Sequence, residues 1–190
     1  ITGRSTISGR VFHDLNGNGV FDAGELGLPV GTVYIDANGT GVRDVGETLA
    51  VSDDAGGYAL RGLTPGTYRV AILPQAGYAR TSPGSNSRTV AIASDGDTVA
   101  GQDYGQARLI PDLAASGVSV SPTVTGPGQP LTVSWTISNL GSGPATGHWV
   151  DSVYLSITPT LGPDALRVAA IPNPGPIAAG AGYSTSQTVN

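Results

Sequence analysis

Hydrophobic positions along this chain recur mostly at every second residue, in short runs closed by Gly, Pro, Asn or Asp. Ser5 to His13 alternates around Ile7 and Val11, and Val33 and Ile35 repeat the pattern. Further runs are Leu49–Val51, Tyr58–Leu60, Tyr68–Ile72 and Thr89–Ile92, then 117–120, Leu131–Ile137, 149–155 and a last one near Tyr183 to Val189. A period of two with one buried face predicts short antiparallel strands at sandwich spacing. Leu63-Thr64-Pro65-Gly66 predicts a tight turn, since Pro presets φ and Gly tolerates φ > 0. Helices are expected to be nearly absent. The predicted class is all-β.

Composition sharpens this picture. Charged residues are 12% of the 190 positions, against about 25% in an average domain. The 29 Gly and 14 Pro suit many turns, and the 39% hydrophobic share argues against a disordered chain. A composition break falls near 107–112: beyond it acids and Arg thin out, Ser, Pro and Ala rise, and both tryptophans, Trp135 and Trp149, appear. Two β-sandwich domains are therefore expected, 1–107 and 113–190, joined by a short linker at 108–112. A net charge of −5 argues against a nucleic-acid partner. No apolar run reaches the roughly 18 residues of a membrane helix, so no membrane insertion is expected. Ile1-Thr2-Gly3 has no signal-peptide character, and the chain reads as a piece of a longer one. With no Cys, neither a disulfide nor a thiolate metal site is possible.

The acids are not scattered. The chain's only glutamates, Glu25 and Glu47, each close the same glycine-studded loop of twelve residues. Loop one runs from Asp14 to Glu25 and loop two, 22 residues on, from Asp36 to Glu47. A hard cation such as Ca²⁺ takes side-chain oxygens at positions 1, 3 and 5, a backbone carbonyl at 7, position 9 often through water, and a bidentate Glu at 12, with Gly at 6 for the sharp bend. Loop one supplies Asp14, Asn16, Asn18, the Val20 carbonyl, Asp22 and Glu25, with Gly19 at the bend. Loop two supplies Asp36, Asn38, Thr40, the Val42 carbonyl, Asp44 and Glu47, with Gly41 at the bend. A Thr hydroxyl is a weaker ligand than an amide or carboxylate, so the second site is expected to be weaker or to use a bridging water. Asn-Gly turns alone would read as solvated loops, but two copies in register hold six of the chain's 14 acids. Two Ca²⁺ ions are the expected cofactors. Loop one exits into Leu26-Gly-Leu-Pro29-Val-Gly31, which forbids a regular helix, so the loops are expected on strands, ordering the fold rather than opening a groove.

Other candidates are weaker. Asp53-Asp54 and Asp95-Gly-Asp97 read as turn residues, and His13 and His148 as strand residues. No nucleophile elbow or metalloprotease motif is present, and an enzyme is not expected.

The run Ser8-Gly-Arg-Val11-Phe-His-Asp14 through Glu25 to Pro29 resembles the B-type repeats of bacterial serine-aspartate-repeat surface proteins (SdrD B-like). So do Asp54 to Val70, read as that family's hairpin, and the closing Gln102-Asp-Tyr-Gly105. The resemblance covers roughly 5–106 and implies a prealbumin-like, Ig-like sandwich. It also implies calcium stabilisation and a spacer role at the bacterial cell surface or in a secreted protein, with neighbouring domains of the same polypeptide as partners. Related collagen-adhesin domains carry a Lys–Asn isopeptide bond, which a chain without Lys cannot form. Residues 111 to about 190 resemble the CARDB (cell-adhesion-related) Ig-like module through Pro111-Asp-Leu113, Leu131 to Ala145 and Trp149 to Ser156. Its final strands are expected to be missing or supplied by another segment. The alternative function is an adhesin module binding a glycan or matrix protein through calcium-ordered loops.

Overall fold

A computed structural model describes residues 4–190; the tripeptide Ile1-Thr2-Gly3, read above for signal-peptide character, lies outside the described residues. The described residues form fourteen strands and no helix, so no helix is long and apolar enough to cross a membrane. The chain divides between Arg108 and Leu109 into two compact units. Arg108 pairs with Tyr78 in the first unit. Asp112 N–H donates to Asn139 Oδ1 in the second (3.0 Å), and the Ile110 carbonyl accepts from Gly143 N–H (3.1 Å). Of the segment 108–112 expected as a short linker, Leu109 to Asp112 belong to the second unit.

The first unit is a sandwich of two sheets. One contains β1 (Ser5–His13), β4 (Gly57–Leu63), β6 (Tyr78–Arg80) and β9 (Tyr104–Arg108) in the order β4-β1-β9-β6, with β8 (Thr98–Val99) also pairing β1. The other contains β2 (Thr32–Ile35), β3 (Leu49–Val51), β5 (Gly66–Leu73) and β7 (Ser87–Ile92) in the order β3-β2-β5-β7. Inward residues of both sheets, among them Ile7, Val11, Val33, Leu60, Val70, Ile72, Val90 and Tyr104, make one buried core. Against the hairpin expected from the sequence, the turn Thr64-Pro65 does not join two strands bonded to each other. It carries the chain from one sheet into the other, because β4 pairs β1 whereas β5 pairs β2 and β7. Tyr58 and Tyr68 therefore meet the core from opposite sheets.

In β1 the alternation breaks at its end, where Val11 and Phe12 are both fully buried. Val11 enters the core; Phe12 lies edge-on to Phe21 of loop one, centroids 5.4 Å apart. A loop folding back over the outer face explains how two successive strand residues can both leave water. Gly27 makes that return possible, since a Cβ there would collide with the Ala55 carbonyl.

The second unit pairs a three-stranded sheet, β10 (Leu113–Ser121), β11 (Leu131–Asn139) and β14 (Gly182–Val189), with a two-stranded one, β12 (Val150–Leu155) and β13 (Leu166–Pro172). Its core is Val133, Trp135, Ile137, Ala145 and Ile177, with Trp149, Val153, Ile171 and Tyr183 against it. Asp151 staples the sheets: its Oδ2 accepts from Trp135 Nε1 (2.8 Å) and from the Tyr183 hydroxyl (2.6 Å). An apolar cleft of about 700 Å³ remains between the sheets, lined among others by Val120, Val133, Leu155 and Val168. His148 and Trp149 precede β12 rather than lying in a strand.

Candidate metal centres

Each acidic loop hangs from the end of a strand. β1 delivers Asp14, whose own N–H donates to the Gln106 carbonyl of β9 (3.0 Å). β2 delivers Asp36, whose N–H donates to the Arg69 carbonyl of β5 (2.9 Å). Backbone pairing to a neighbouring strand therefore sets the start of both loops before any ion is considered.

Loop one is internally satisfied. Asp14 is buried, with Oδ1 accepting from Gly17 N–H and Oδ2 from Gly19 N–H, both at 2.7 Å. Asn16 Oδ1 accepts from Asn18 N–H (3.0 Å), and Asn18 Oδ1 accepts from Val20 N–H (2.8 Å). Glu25, also buried, reaches back across the loop to accept from Leu15 N–H (2.8 Å) and Asp22 N–H (3.1 Å). Both asparagine amides donate to Asp22 Oδ2, at 3.0 and 2.7 Å. Positions 3, 5 and 9 thus meet, and positions 1 and 12 hold the backbone around them. Burial raises the Asp14 pKa, but the N–H groups of Gly19, Gly17 and Asn18 and the nearby Thr81 hydroxyl outweigh it and leave the carboxyl below its ordinary value. That hydroxyl has no hydrogen-bond partner of acceptable geometry, so its part is electrostatic proximity rather than a formed bond.

Loop two repeats the plan with three differences. Glu47 accepts from Ala37 N–H and Asp44 N–H, both at 2.9 Å, and Asn38 Nδ2 donates to Asp44 Oδ2 (2.7 Å). First, the Thr40 hydroxyl donates to the Val42 carbonyl (3.0 Å), the backbone oxygen expected as a ligand. Second, position 8 is Arg43, exposed, where loop one has Phe21 packed on Phe12 and capped by Arg10 4.3 Å from the ring centroid. Third, Asp36 is 3% exposed, and while Oδ2 accepts from Gly41 N–H (3.1 Å), Oδ1 is buried with no partner.

That orphaned oxygen tests the fit to a cation. A buried carboxylate oxygen without a donor costs at least 1–3 kcal/mol, and a hard cation held by the loop oxygens would remove the cost. Among the described residues no three Asp, Glu or His side chains are gathered tightly enough to hold a metal by themselves. An ion would need the amide, hydroxyl and carbonyl oxygens as well, a mixed donor set that Ca²⁺ accepts.

Of the other acids singled out in the sequence, Asp53, Asp95 and Asp97 hold backbone N–H groups. Asp53 Oδ1 accepts from Ala55 and Gly57 N–H, Asp97 Oδ2 from Ser94 N–H, and Asp95 Oδ1 from Arg4 N–H. His13 ends β1 edge-on to Tyr78. Sequence reasoning gave Phe21 no role, although a large aromatic inside a polar loop was a readable signal.

The fold and its loops define a class: tandem β-sandwiches whose first unit carries two Asx-rich, Glu-closed loops on strand ends. Residues 5–109 match the SdrD B-like domain family, and over that majority of its length the chain belongs to it. The second unit beyond Leu109 lies outside the match. No curated protein matches the chain. Among solved structures, GBS52, a minor pilin of Streptococcus agalactiae, is similar at 17% identity and TM-score 0.40, over 68% of this chain and 50% of that one. The RrgB pilus protein of Streptococcus pneumoniae is similar at 11% identity and TM-score 0.47, over 100% of this chain and 45% of that one. A putative carbohydrate binding protein from Bacteroides uniformis follows at 11% identity and TM-score 0.30, over 99% and 80%. The chain therefore spans about half the length of the two pilus proteins.

Proposed function

We propose that this chain is a calcium-stiffened structural spacer of a bacterial cell-surface or secreted protein with an adhesion-related role. Membership of the SdrD B-like family supports the spacer role, and the buried, unpartnered Oδ1 of Asp36 is the observation that carries the calcium reading. Asp14, Asn16, Asn18, the Val20 carbonyl, Asp22 and Glu25 would hold one ion. Asp36, Asn38, Thr40, the Val42 carbonyl, Asp44 and Glu47 would hold the other. Bound, each ion supplies positive charge where carboxylates crowd, and it does no chemistry. The second unit reads as a partial CARDB-like Ig-like module, a reading its three- and two-stranded sheets around an open cleft support. Neighbouring domains of the same polypeptide are the natural partners.

Thermal melting with calcium and with a chelator tests this. Both tryptophans lie in the second unit, so their fluorescence follows that unit while far-ultraviolet dichroism follows the whole chain. Calcium at about a hundred times Kd adds ~2.7 kcal/mol for each filled site, which should raise the first unit's midpoint by at least about 10 °C per site. The tryptophan transition should stay put. An unmoved first transition and no calcium heat in calorimetry would remove the ions from the picture. Specific glycan or matrix-protein capture that disappears with the loop acids would replace the spacer with an adhesin module.

A further inference from the structure

The two acidic loops share a neighbour. The β6–β7 connection, Thr81 to Asn86, crosses from one sheet of the first unit to the other, since β6 pairs β9 and β7 pairs β5. Loop one lies on its start: a Cβ built on Gly19 would stand 3.2 Å from Ser82 Cβ and 3.6 Å from the Thr81 carbonyl oxygen. Loop two lies by its end: a Cβ on Gly41 would stand 3.5 Å from Asn86 Nδ2. Gly19 and Gly41 are the position-6 bends of the two loops, the points through which each loop closes around an ion.

The connection is held by one side chain. Arg80 Nε donates to the Pro83 carbonyl (3.1 Å), Nη1 to the Asn86 carbonyl (3.4 Å) and Nη2 to Asn86 Oδ1 (2.9 Å). This planar fork grips the middle and the end of the segment at once, which a point-charge ammonium cannot do. The start is pinned separately, because Thr81 and Ser82 N–H both donate to the Gly105 carbonyl, at 2.8 and 3.3 Å. Gly105 adjoins Gln106, whose carbonyl holds the first residue of loop one.

We infer that Thr81–Asn86 is a strut shared by the two loops and that Arg80 is the positioning residue that makes it stiff, so that filling one loop strengthens ion binding in the other. The inference rests on the calcium reading above. Stiffness is what transmits it: a segment gripped at both ends cannot absorb a shift of Gly19 without moving Asn86 against Gly41.

Calorimetric titration of the full chain with Ca²⁺ alone tests it. Glu25→Gln disables loop one, and loop two is then titrated by itself and compared with its affinity in a two-site fit of the unaltered chain. Glu47→Gln gives the reciprocal measurement, which linkage requires to be equal. With Arg80 present, disabling either loop should weaken the other at least about fivefold. In the Arg80→Ala and Arg80→Lys backgrounds the same disablement should change it less than about twofold. Asn86→Ala, an exposed position that removes one partner of the fork, should fall between and guards against a failure of Arg80→Ala to fold. Two loops that bind with affinities indifferent to each other, or coupling undiminished in Arg80→Lys and Asn86→Ala, overturn the strut while leaving both sites standing. No calcium heat in any chain overturns the calcium reading and the strut together.

Discussion

Loop one and loop two have the same length, the same bend glycine and the same closing glutamate, yet the fold treats them differently. Loop one is anchored: Phe21 packs on Phe12 beneath Arg10, and both Asp14 oxygens have backbone donors. Loop two is perched: Arg43 replaces the aromatic, Thr40 consumes the Val42 carbonyl, and a buried Asp36 oxygen is left alone. At either loop a cation would have to displace asparagine amide donors from the position-9 carboxylate; at loop two it would also have to break the Thr40–Val42 bond and pair the lone Asp36 oxygen. Pre-organisation is what separates tight from weak binding when the ligand atoms are nearly the same.

The largest effect falls on the scaffold that both loops share. Burial pushes the Tyr58 and Tyr104 phenols far above their ordinary value of 10.0. Their folded values lie above the unfolded one, so the stability they contribute is complete below pH 10 and is lost as pH rises. The first unit should lose about 1 kcal/mol or more per pH unit beyond that point. Urea midpoints at pH 8 and pH 11 would show it, and an unchanged midpoint would mean these hydroxyls are not sealed from water.

Next in size is the anchor. Phe21→Ala should cost about 2 kcal/mol, because it uncovers Phe12 and strands the Arg10 guanidinium. Arg43→Ala at the matching place in loop two should cost less than about 0.5 kcal/mol. Equal losses in chemical denaturation would erase the contrast between an anchored and a perched loop.

Charge removal sharpens the comparison further. Asp36→Asn should stabilise the calcium-free chain by about 1 kcal/mol, as an unpaired buried charge disappears, and should weaken calcium binding. Asp14→Asn should destabilise the chain with or without calcium, because each Asp14 oxygen accepts a hydrogen bond and an amide nitrogen cannot. The two signs without calcium are opposite, and finding them alike would show that Asp36 is solvated. The Asp14 carboxyl, held below its ordinary value of 3.8, contributes stability present above that pH and lost as pH falls. Thr40→Asn frees the Val42 carbonyl and should tighten loop two a few-fold in calcium titration, about 0.5–1 kcal/mol.

Much of this was legible along the chain. The long runs in β7 and β11 alternate clearly; β1 alternates until Val11 and Phe12, and β5 until Val70, Ala71 and Ile72, where successive residues are buried. The strands that escaped notice are those whose pattern carries little period. β6 and β8 have three and two residues, too few to alternate. β9 buries Tyr104, Gly105 and Gln106 in succession, because it lies inside the sheet under loop contacts. β13 is only partly buried beside an open cleft and ends in Pro172, a residue that reads as a break. The Thr64-Pro65 turn was visible, but a turn says nothing about which sheet receives the next strand.

The spacing of Asp, Asn, Gly and Glu in the two loops is local, and so is the backbone turn it imposes. The sequence alone therefore determined that two oxygen-rich loops exist, that they sit on strand ends, and that no covalent crosslink from Lys or Cys can substitute for them. What each loop packs against is not local. Phe12 lies nine residues from Phe21, and Arg80 is dozens of residues from either loop it serves. Whether a carboxylate oxygen finds a donor or none is decided by that packing, through the cost of leaving a charge dry. Only the tertiary structure could show that the near-identical loops stand on unequal ground.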